Sequence, residues 1–428
     1  MHDGPETRLI IEGGSKLQGT IAISGSKNAA TPILAASLLS TNGKIVLRNI
    51  PFVRDVMTLT SILKRLSAKI HFINHSMIID ATNVDNFIIP DEGRKTRDSL
   101  YLVGPLLAKF KKVTIIEPGG DRIGKRPINF HLKGLQAFGA RFETNEFKNG
   151  KMEIKADKLV GTRISLPYPS VGTTENLLMI ASIARGKTVI ENAAREPEVV
   201  DLARFLISMG AKIKGMGSPL IKIEGVKELS ATSYTIIPDR IEAFTYMVAS
   251  TVTGGKIRII NSIPRHMITP IEILRKIGVK IDVNNKENSI IAEGSEKYKP
   301  IKVSTAPYPG FPTDMQPLLT SLLVLSNGAS TLTENVFPER FNHVQELRKM
   351  GAEIRVKYNS LMIMGRKKLL GAEVRATDIR TGAALILAGL ATQGITTIKN
   401  TYEIDRGYER IEEKLKQLGA KIQRVNAD

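Results

Sequence analysis

The sequence contains 428 residues, 42% of them hydrophobic and 24% charged, and 61 Lys and Arg against 42 Asp and Glu give a formal net charge of +19. This excess favours polyanions or small phosphorylated ligands, while the absence of cysteine excludes disulfides, thiolate metal sites and a thiol nucleophile. Acids are interleaved with the basic residues and tryptophan is absent, which argues against a nucleic-acid-binding surface. The polar start and the lack of a run of about 20 apolar residues predict a soluble, cytoplasmic protein.

The first predicted helix runs from Asn28 to Leu39, with Pro32 in its first turn. A strand over Lys44–Asn49 and a second, amphipathic helix follow, and the unit closes with the segment 66–70. The same order returns in five later copies about every 70 residues, each with a glycine between the amphipathic helix and the next strand, as helix C-terminal caps require. The closing segments are Phe138–Phe142, Met209–Ile213, Ile277–Ile281, Met350–Ile354 and Leu418–Ile422.

Six such units predict an α/β protein with two compact domains of three units each, because the repeat is longer than the usual solenoid period of about 50 residues. Each copy carries charge in the loop after its short strand. If the copies are equivalent, these loops gather at equivalent edges, and two facing domains would line one cleft with cations. The charged loop positions are Arg54, residues 121–126, Arg195 with Glu196, Arg265, Arg340 and Arg406.

The loop Gly119–His131 is the strongest local signal. Two glycines before Asp121 and a third at Gly124 permit backbone angles that other residues resist. Such a segment predicts a lid over an anionic substrate, with Asp121 available for proton transfer, and a solvated surface loop is the alternative. Three cations share the segment, namely Arg122, Lys125 and Arg126.

A second signal lies at Gly25–Asn28, just before the first helix. A helix N-terminus offers free backbone N–H groups and the positive end of the dipole, and Lys27 adds a full charge. Phosphate or carboxylate binding is the natural use, and an ordinary helix start is the alternative.

Four motifs in register make the pattern specific: Gly25–Ala30, Gly119–Pro127, Phe311–Gln316 and Ile404–Tyr408. From about Leu9 to Val425 the chain resembles the UDP-N-acetylglucosamine 1-carboxyvinyltransferases, which are enolpyruvyl transferases. The resemblance implies a two-domain inside-out α/β barrel with three repeated units per domain and the active site in the interdomain cleft. It implies a middle domain over 28–238, which carries the mobile Gly119–Pro127 loop, and a second domain of 1–27 plus 239–428.

The implied reaction adds the 3′-hydroxyl of UDP-N-acetylglucosamine to C2 of phosphoenolpyruvate, passes through a tetrahedral ketal and eliminates phosphate. This is the first committed step of peptidoglycan precursor synthesis. The resemblance implies no metal, no organic cofactor, no nucleic acid or membrane partner and no obligate protein partner.

Residue roles carry over from the resemblance. Lys27 and Asn28 match residues that hold phosphoenolpyruvate, and Asp314 matches the carboxylate that accepts the proton of the attacking hydroxyl. Arginines around the phosphate and carboxylate of phosphoenolpyruvate are matched by Arg126, Arg340, Arg380 and Arg406. Positions that contact the nucleotide-sugar are matched by Arg97, Ser170, Val171, Gly172 and Val336. Arg97 and Arg340 could instead pair with neighbouring acids, and Asp314 could also cap a helix that starts at Met315.

Asp121 departs from the commoner pattern, since many relatives carry cysteine there as general acid to C3 of phosphoenolpyruvate and as the thiol alkylated by fosfomycin. The resemblance therefore implies that Asp121 keeps the proton-donor role and that the protein is insensitive to fosfomycin. Neighbouring Arg122 and Arg126 favour the ionised carboxylate, whereas a general acid must carry a proton, so we expect the acid to form in a closed, substrate-bound complex.

Three further departures, Asn129, Tyr168 and Pro338, lie near expected nucleotide-sugar contacts. The spacing of His131, His266 and His343 does not fit a metal site, so we interpret them as structural or loop histidines.

Two other functions stay open at this point. The sister enzyme that acts on shikimate 3-phosphate usually has an Asn-Arg pair after its first lysine motif, whereas this chain has Lys27-Asn28-Ala29-Ala30. An RNA-binding or RNA-end-processing protein of similar repeats would suit the net charge but predicts clustered basic and aromatic residues.

Overall fold

The structure is a computed structural model that describes residues 6–121, 123–124, 126–142, 146–295, 297–365 and 368–426. The chain forms two compact units. The terminal unit comprises Met1–Ser24, Asp121–Lys125 and Pro238–Asp428. The middle unit comprises Gly25–Gly120 and Arg126–Ile237.

The helices of the described chain alternate with short strands. They are α1 (Lys27–Ala36), α2 (Arg54–Arg65), α3 (Val103–Phe110), α4 (Asn129–Ala137), α5 (Val171–Ala181), α6 (Pro197–Ser208), α7 (Arg240–Val252), α8 (Ile268–Ile277), α9 (Gln316–Leu323), α10 (Asn342–Lys349), α11 (Ile379–Ala391), α12 (Tyr402–Asp405) and α13 (Ile411–Gln417).

The strands are two to six residues long. They are β1 (Thr7–Glu12), β2 (Gln18–Ala22), β3 (Ile45–Arg48), β4 (Lys69–Ile73), β5 (Ser76–Asp80), β6 (Lys112–Ile116), β7 (Arg141–Phe142), β8 (Lys151–Lys155), β9 (Arg163–Ser165), β10 (Lys187–Glu191), β11 (Lys212–Lys214), β12 (Leu220–Glu224), β13 (Ser233–Thr235), β14 (Lys256–Ile260), β15 (Lys280–Asn284), β16 (Ser289–Glu293), β17 (Lys302–Ser304), β18 (Ala329–Thr333), β19 (Glu353–Lys357), β20 (Ser360–Met364), β21 (Glu373–Arg375), β22 (Ile395–Lys399) and β23 (Lys421–Asn426).

Each unit has three small mixed sheets. Those of the middle unit have the orders β13-β3-β5-β4, β6-β8-β7 and β11-β12-β10-β9. Those of the terminal unit have the orders β21-β22-β1-β23, β15-β16-β14-β2 and β17-β18-β20-β19. In the first of these, β1 lies antiparallel between β22 and β23, so the start of the chain completes the last sheet.

The helices supply the centre of each unit. Every residue of α9 is buried, and so are Ala29–Ala36 of α1, whereas α2 buries only one face. Separate hydrophobic cores fill the middle unit and the terminal unit. Helices inside and sheets outside confirm the predicted inside-out α/β fold.

The repeats share two features of their turns. All five predicted capping glycines adopt positive φ, between +88° and +110°, which side chains with a Cβ resist. A second device was not predicted: an asparagine at the end of the first strand of five repeats donates its side-chain N–H to the carbonyl that follows the neighbouring parallel segment. These residues are Asn49, Asn192, Asn261, Asn335 and Asn400.

The predicted first helix is slightly too long. The α-helical part ends at Ala36, and Ser37–Leu39 continue as a 3₁₀ turn. The Ser37 hydroxyl donates to the Ile33 carbonyl at 3.0 Å, and the Ser37 backbone N–H donates to the same carbonyl.

Among the described residues, no helix is both long and apolar enough to cross a membrane.

Candidate active site

The predicted site residues fall into two sets, one in each unit. The terminal unit holds Asp121, Asp314, Val336, Arg340, Arg380 and Arg406. The middle unit holds Lys27, Asn28, Arg97, Arg126, Ser170, Val171 and Gly172.

Asp314 lies between two buried arginines in the terminal unit. Its Oδ1 accepts from Nη1 of Arg340 at 2.6 Å, and its Oδ2 accepts from Nη2 of Arg380 at 3.1 Å. The arginine side chains are 3% and 5% exposed, whereas that of Asp314 is 28% exposed. One edge of this charged group therefore reaches solvent through the carboxylate.

The charges of this group are not independent. Burial by itself would raise the pKa of Asp314, but Arg340 and Arg380 outweigh burial and hold that pKa well below its ordinary value. A carboxylate so stabilised is a weak base. It becomes a better proton acceptor when other anions bind the two arginines and compete with it for their positive charge.

Arg340 has donor capacity to spare. Within the described part of the chain its buried Nε has no hydrogen-bond partner, although Nη1 also donates to the Thr313 hydroxyl at 3.1 Å. A buried, unsatisfied guanidinium donor is costly. Its presence beside Asp314 indicates a place for an anion or another acceptor.

The structure corrects one interpretation of Asp314. The helix α9 begins at Gln316, after a 3₁₀ turn over Thr313–Met315, and within the described chain neither element receives a side-chain cap. The prediction that Asp314 could cap a helix starting at Met315 was therefore wrong. The carboxylate binds the two arginines instead, and Pro312 is the residue at the cap position of the 3₁₀ turn.

Two acids that sequence reasoning missed hold this group in place. The fully buried Glu334 accepts from the hydroxyls of Thr305 and Thr313 and from the backbone N–H of Val336 and Phe337. It thereby fixes Val336 next to the turn that carries Asp314. Its position at the end of a short strand was the available signal.

The second acid is Asp378, the N-cap of α11. Its carboxylate accepts from the backbone N–H of Arg380 and Thr381 and from the Thr381 hydroxyl. This cap orients the first turn of α11 and so the Arg380 side chain, which also lies over the Tyr408 ring, 5.5 Å from its centroid.

Asp121 pairs with Arg406 in the same unit. Its Oδ1 lies 2.5 Å from Arg406 Nη1, and the same nitrogen lies 2.7 Å from Oε2 of Glu403. The predicted crowding of Asp121 by Arg122 and Lys125 concerns positions outside the described residues. Among the described residues, Arg406 forms an ion pair with Asp121.

In the middle unit, Lys27 begins α1 and is held by two acids from elsewhere in the chain. Its Nζ lies 3.1 Å from Oδ2 of Asp55 and 2.7 Å from Oδ2 of Asp98, and the three side chains are 11%, 3% and 12% exposed. The hydroxyl of Ser26 caps α1, and Asn28 is partly exposed in its first turn. The two ion pairs fix the direction of the Lys27 side chain.

Replacing Lys27 by Met leaves Asp55 and Asp98 as buried acids without their shared cation. We expect a loss of about 3–5 kcal/mol in the free energy of unfolding, measured by urea denaturation. Lys212→Met is the control, because its pair with Glu224 at 3.2 Å is at least half exposed and should contribute less than about 1 kcal/mol. Equal effects of the two changes would contradict the assigned role of the two acids.

Arg97 and Arg126 lie together. A Cβ on Gly120, whose φ is +110°, would lie 2.9 Å from Cβ of Arg97 and 3.7 Å from Nη1 of Arg126. Burial and the Arg126 charge lower the pKa of Arg97 to about 10. Two arginines that lie close together form a natural site for a phosphate.

His131 also belongs to this neighbourhood, although the sequence predicted only a structural or loop histidine. Burial, followed by the charges of Arg97 and Arg126, lowers the pKa of His131 to about 3. Its Nδ1 lies 3.1 Å from the side-chain nitrogen of Asn176. The ring is therefore neutral and offers hydrogen bonds without adding charge.

Ser170, Val171 and Gly172 form the start of α5. The Ser170 hydroxyl accepts from the Thr173 N–H, and all three positions are partly exposed. A Cβ on Gly172 would lie 3.4 Å from Cε1 of His131. The helix N-terminus and His131 therefore lie on one surface of the middle unit.

Asn129, Tyr168 and Pro338, which depart from the family pattern, lie in different local settings. Asn129 begins α4, the Tyr168 carbonyl accepts from the Ser170 N–H at 2.7 Å, and Pro338 is exposed. Across the described residues, no group of three or more His, Asp or Glu side chains has the arrangement of a metal site.

Comparison with known proteins adds family information. A family model described as EPSP synthase (3-phosphoshikimate 1-carboxyvinyltransferase) matches residues 11–415. The chain is 46% identical over 420 residues to UDP-N-acetylglucosamine 1-carboxyvinyltransferase 2 of Carboxydothermus hydrogenoformans. This match covers 98% of the chain and 99% of the relative. It is 47% identical over 419 residues to UDP-N-acetylglucosamine 1-carboxyvinyltransferase of Geotalea uraniireducens, with the same coverage.

Two solved structures share the fold. The enolpyruvyl transferase NikO from Streptomyces tendae has a TM-score of 0.89 at 25% identity and covers 99% of this chain and 100% of its own. EPSP synthase from Acinetobacter baumannii has a TM-score of 0.75 at 19% identity and covers 98% of this chain and 100% of its own, which shows the fold alone.

Proposed function

The chain belongs to the UDP-N-acetylglucosamine 1-carboxyvinyltransferase family, and we propose that it transfers the enolpyruvyl group of phosphoenolpyruvate to the 3′-hydroxyl of UDP-N-acetylglucosamine. Phosphate is the second product, and the reaction is the first committed step of peptidoglycan precursor synthesis. The observation that carries the proposal is the identity of 46% and 47% to relatives of that name over nearly the whole chain.

We assign proton acceptance to Asp314. In the addition step the sugar hydroxyl oxygen bonds to C2 of phosphoenolpyruvate, its proton passes to Asp314, and C3 receives a proton from Asp121. In the elimination step C3 returns a proton to Asp121, the bond from C2 to the phosphate oxygen breaks as the double bond forms again, and the leaving phosphate takes up the proton held by Asp314. Atoms and charges balance without a redox partner.

The arginines beside Asp314 support this assignment. Substrate phosphate and carboxylate groups that bind Arg340 and Arg380 compete with Asp314 for the same positive charge, which makes Asp314 a stronger base once the anions are in place. The unpartnered Nε of Arg340 supplies a donor for such an anion without breaking the ion pair. This coupling ties proton acceptance to substrate binding.

We assign the middle unit to ligand anions. Lys27 and Asn28 at the start of α1 suit phosphoenolpyruvate, and the Arg97 and Arg126 pair suits a phosphate group. Ser170, Val171 and Gly172 at the start of α5 suit the nucleotide-sugar. No resident cofactor takes part in the proposed steps.

The test measures phosphate release from phosphoenolpyruvate by the purified protein with UDP-N-acetylglucosamine or shikimate 3-phosphate as acceptor, each with and without fosfomycin. We expect turnover with the UDP-sugar only, unchanged by fosfomycin. Turnover with shikimate 3-phosphate only would assign the sister activity that the family model also describes. No turnover with either acceptor would favour a binding function and remove the proposal.

A further inference from the structure

The carboxylate of Glu403 shares one nitrogen with that of Asp121. Arg406 Nη1 lies 2.5 Å from Asp121 Oδ1 and 2.7 Å from Glu403 Oε2. The side chains of Arg406, Asp121 and Glu403 are 7%, 13% and 19% exposed. Two acids thus face one cation in a place that water reaches poorly, where charges interact more strongly than in solvent.

We propose that Glu403 is a positioning residue for proton transfer, which shares the Arg406 guanidinium with Asp121 so that Asp121 can hold a proton. The inference rests on the proposed function, in which Asp121 must be a general acid. With one acid, the cation would favour an ionised Asp121. With two, the charge of Arg406 is already balanced by Glu403, and a second negative charge at Asp121 is disfavoured.

Several neighbours act on the carboxylate of Glu403, whose pKa lies above its ordinary value. Burial raises the pKa of Glu403, Arg406 lowers it, and Asp121 and Asp378 raise it. Asp378 faces the group from the start of α11, and the charge of Asp121 also acts on Arg340. Arg406, Arg340 and Asp378 are thus charged groups that act on this pair of acids.

The arrangement also serves the step itself. When Asp121 gives its proton to C3 of phosphoenolpyruvate, it becomes a carboxylate next to Arg406, which can strengthen its bond to that acid. When C3 returns the proton, the guanidinium remains bound to Glu403. In both protonation states of Asp121 the guanidinium of Arg406 keeps its ion pair with Glu403.

The test is the pH profile of kcat/KM for Glu403→Gln, which keeps the shape of the side chain and removes its charge. Without that charge Asp121 loses its proton more easily, so the fall of activity on the basic side should move to lower pH by about one unit. Activity should be close to wild type in acid and about tenfold lower on the basic side. Glu403→Asp keeps the charge and should restore the wild-type profile.

Glu413→Gln is the matched control. Glu413 pairs with Arg410 at 3.4 Å, and the two residues are three positions apart in sequence, as Glu403 and Arg406 are. Both side chains of the control pair are more than half exposed. Its profile should superpose on that of the wild type. A Glu403→Gln profile that is unchanged, or lowered equally at every pH, would overturn the inference, since the second result is what a purely structural role produces.

A direct titration separates this inference from the proposed function. Carbon-13 NMR of labelled Asp carboxyl groups, with Asp121→Asn to identify the signal, follows proton loss in the substrate-free protein. We expect Asp121 to lose its proton at lower pH in Glu403→Gln than in the wild type, and identical titrations would overturn the inference. If the wild type fails to turn over the UDP-sugar, the proposed function falls while this titration still decides the coupling.

Discussion

Asp314→Asn is expected to lower kcat for phosphate release by about 10²–10⁴-fold, the usual cost of losing a general acid or base. The amide keeps the size of the side chain and one acceptor for Arg340 or Arg380, but it cannot take the proton of the attacking hydroxyl. The measurement is phosphate release at saturating phosphoenolpyruvate and UDP-N-acetylglucosamine, with KM determined for both substrates. We expect the loss mainly in kcat.

Glu412→Gln controls for the loss of an acid that binds an arginine. Glu412 accepts from Nε of Arg424 at 2.6 Å and from Nη2 at 3.1 Å, in the same unit but outside the candidate site. Glu412→Gln should lower the free energy of unfolding and keep kcat within about twofold of the wild-type value. A kcat of Asp314→Asn close to wild type would show that Asp314 only anchors the two arginines.

The fold was largely predictable because its signals are local. Glycines at Gly139 or Gly278 mark helix ends through their positive φ, a property of a single residue and its neighbours. The repeat then presents this signal five times. The end of α1 was not predictable to the residue, because the apolar pattern continues through the 3₁₀ turn Ser37–Leu39.

The residues of the site were largely predictable from the sequence, but the side chains that bind them were not. Motifs indicated Lys27 and Asp314, but not that Asp55 and Asp98 bind Lys27 or that Glu334 binds the turn beside Asp314. These pairs join positions that are far apart in the chain, and no spacing rule predicts them. An acid that positions a functional side chain looks the same in sequence as a solvated surface acid.

Placing a cysteine at position 121 is expected to make the protein sensitive to fosfomycin. In Asp121→Cys the thiol lies beside Arg406, whose charge favours the thiolate, the form that attacks an epoxide. The sulfur bonds to an epoxide carbon, the carbon–oxygen bond opens, and the oxygen takes up a proton. We expect a time-dependent loss of activity in the variant and none in the wild type. The measurement is the rate of phosphate release after incubation with fosfomycin.

The chain has no cysteine, so the variant carries a single thiol, and intact-mass measurement assigns any adduct to it. One fosfomycin per chain is expected for Asp121→Cys and none for the wild type. Ser218→Cys is the control for a thiol outside the site and should stay unmodified under the same conditions. Asp121→Asn should resist labelling and lose about 10²–10⁴-fold in rate, as removal of the general acid requires. An active Asp121→Asn would remove Asp121 from proton transfer and leave Arg406 and Glu403 as an ordinary ion pair, and a fosfomycin adduct on the wild type would contradict the expected insensitivity.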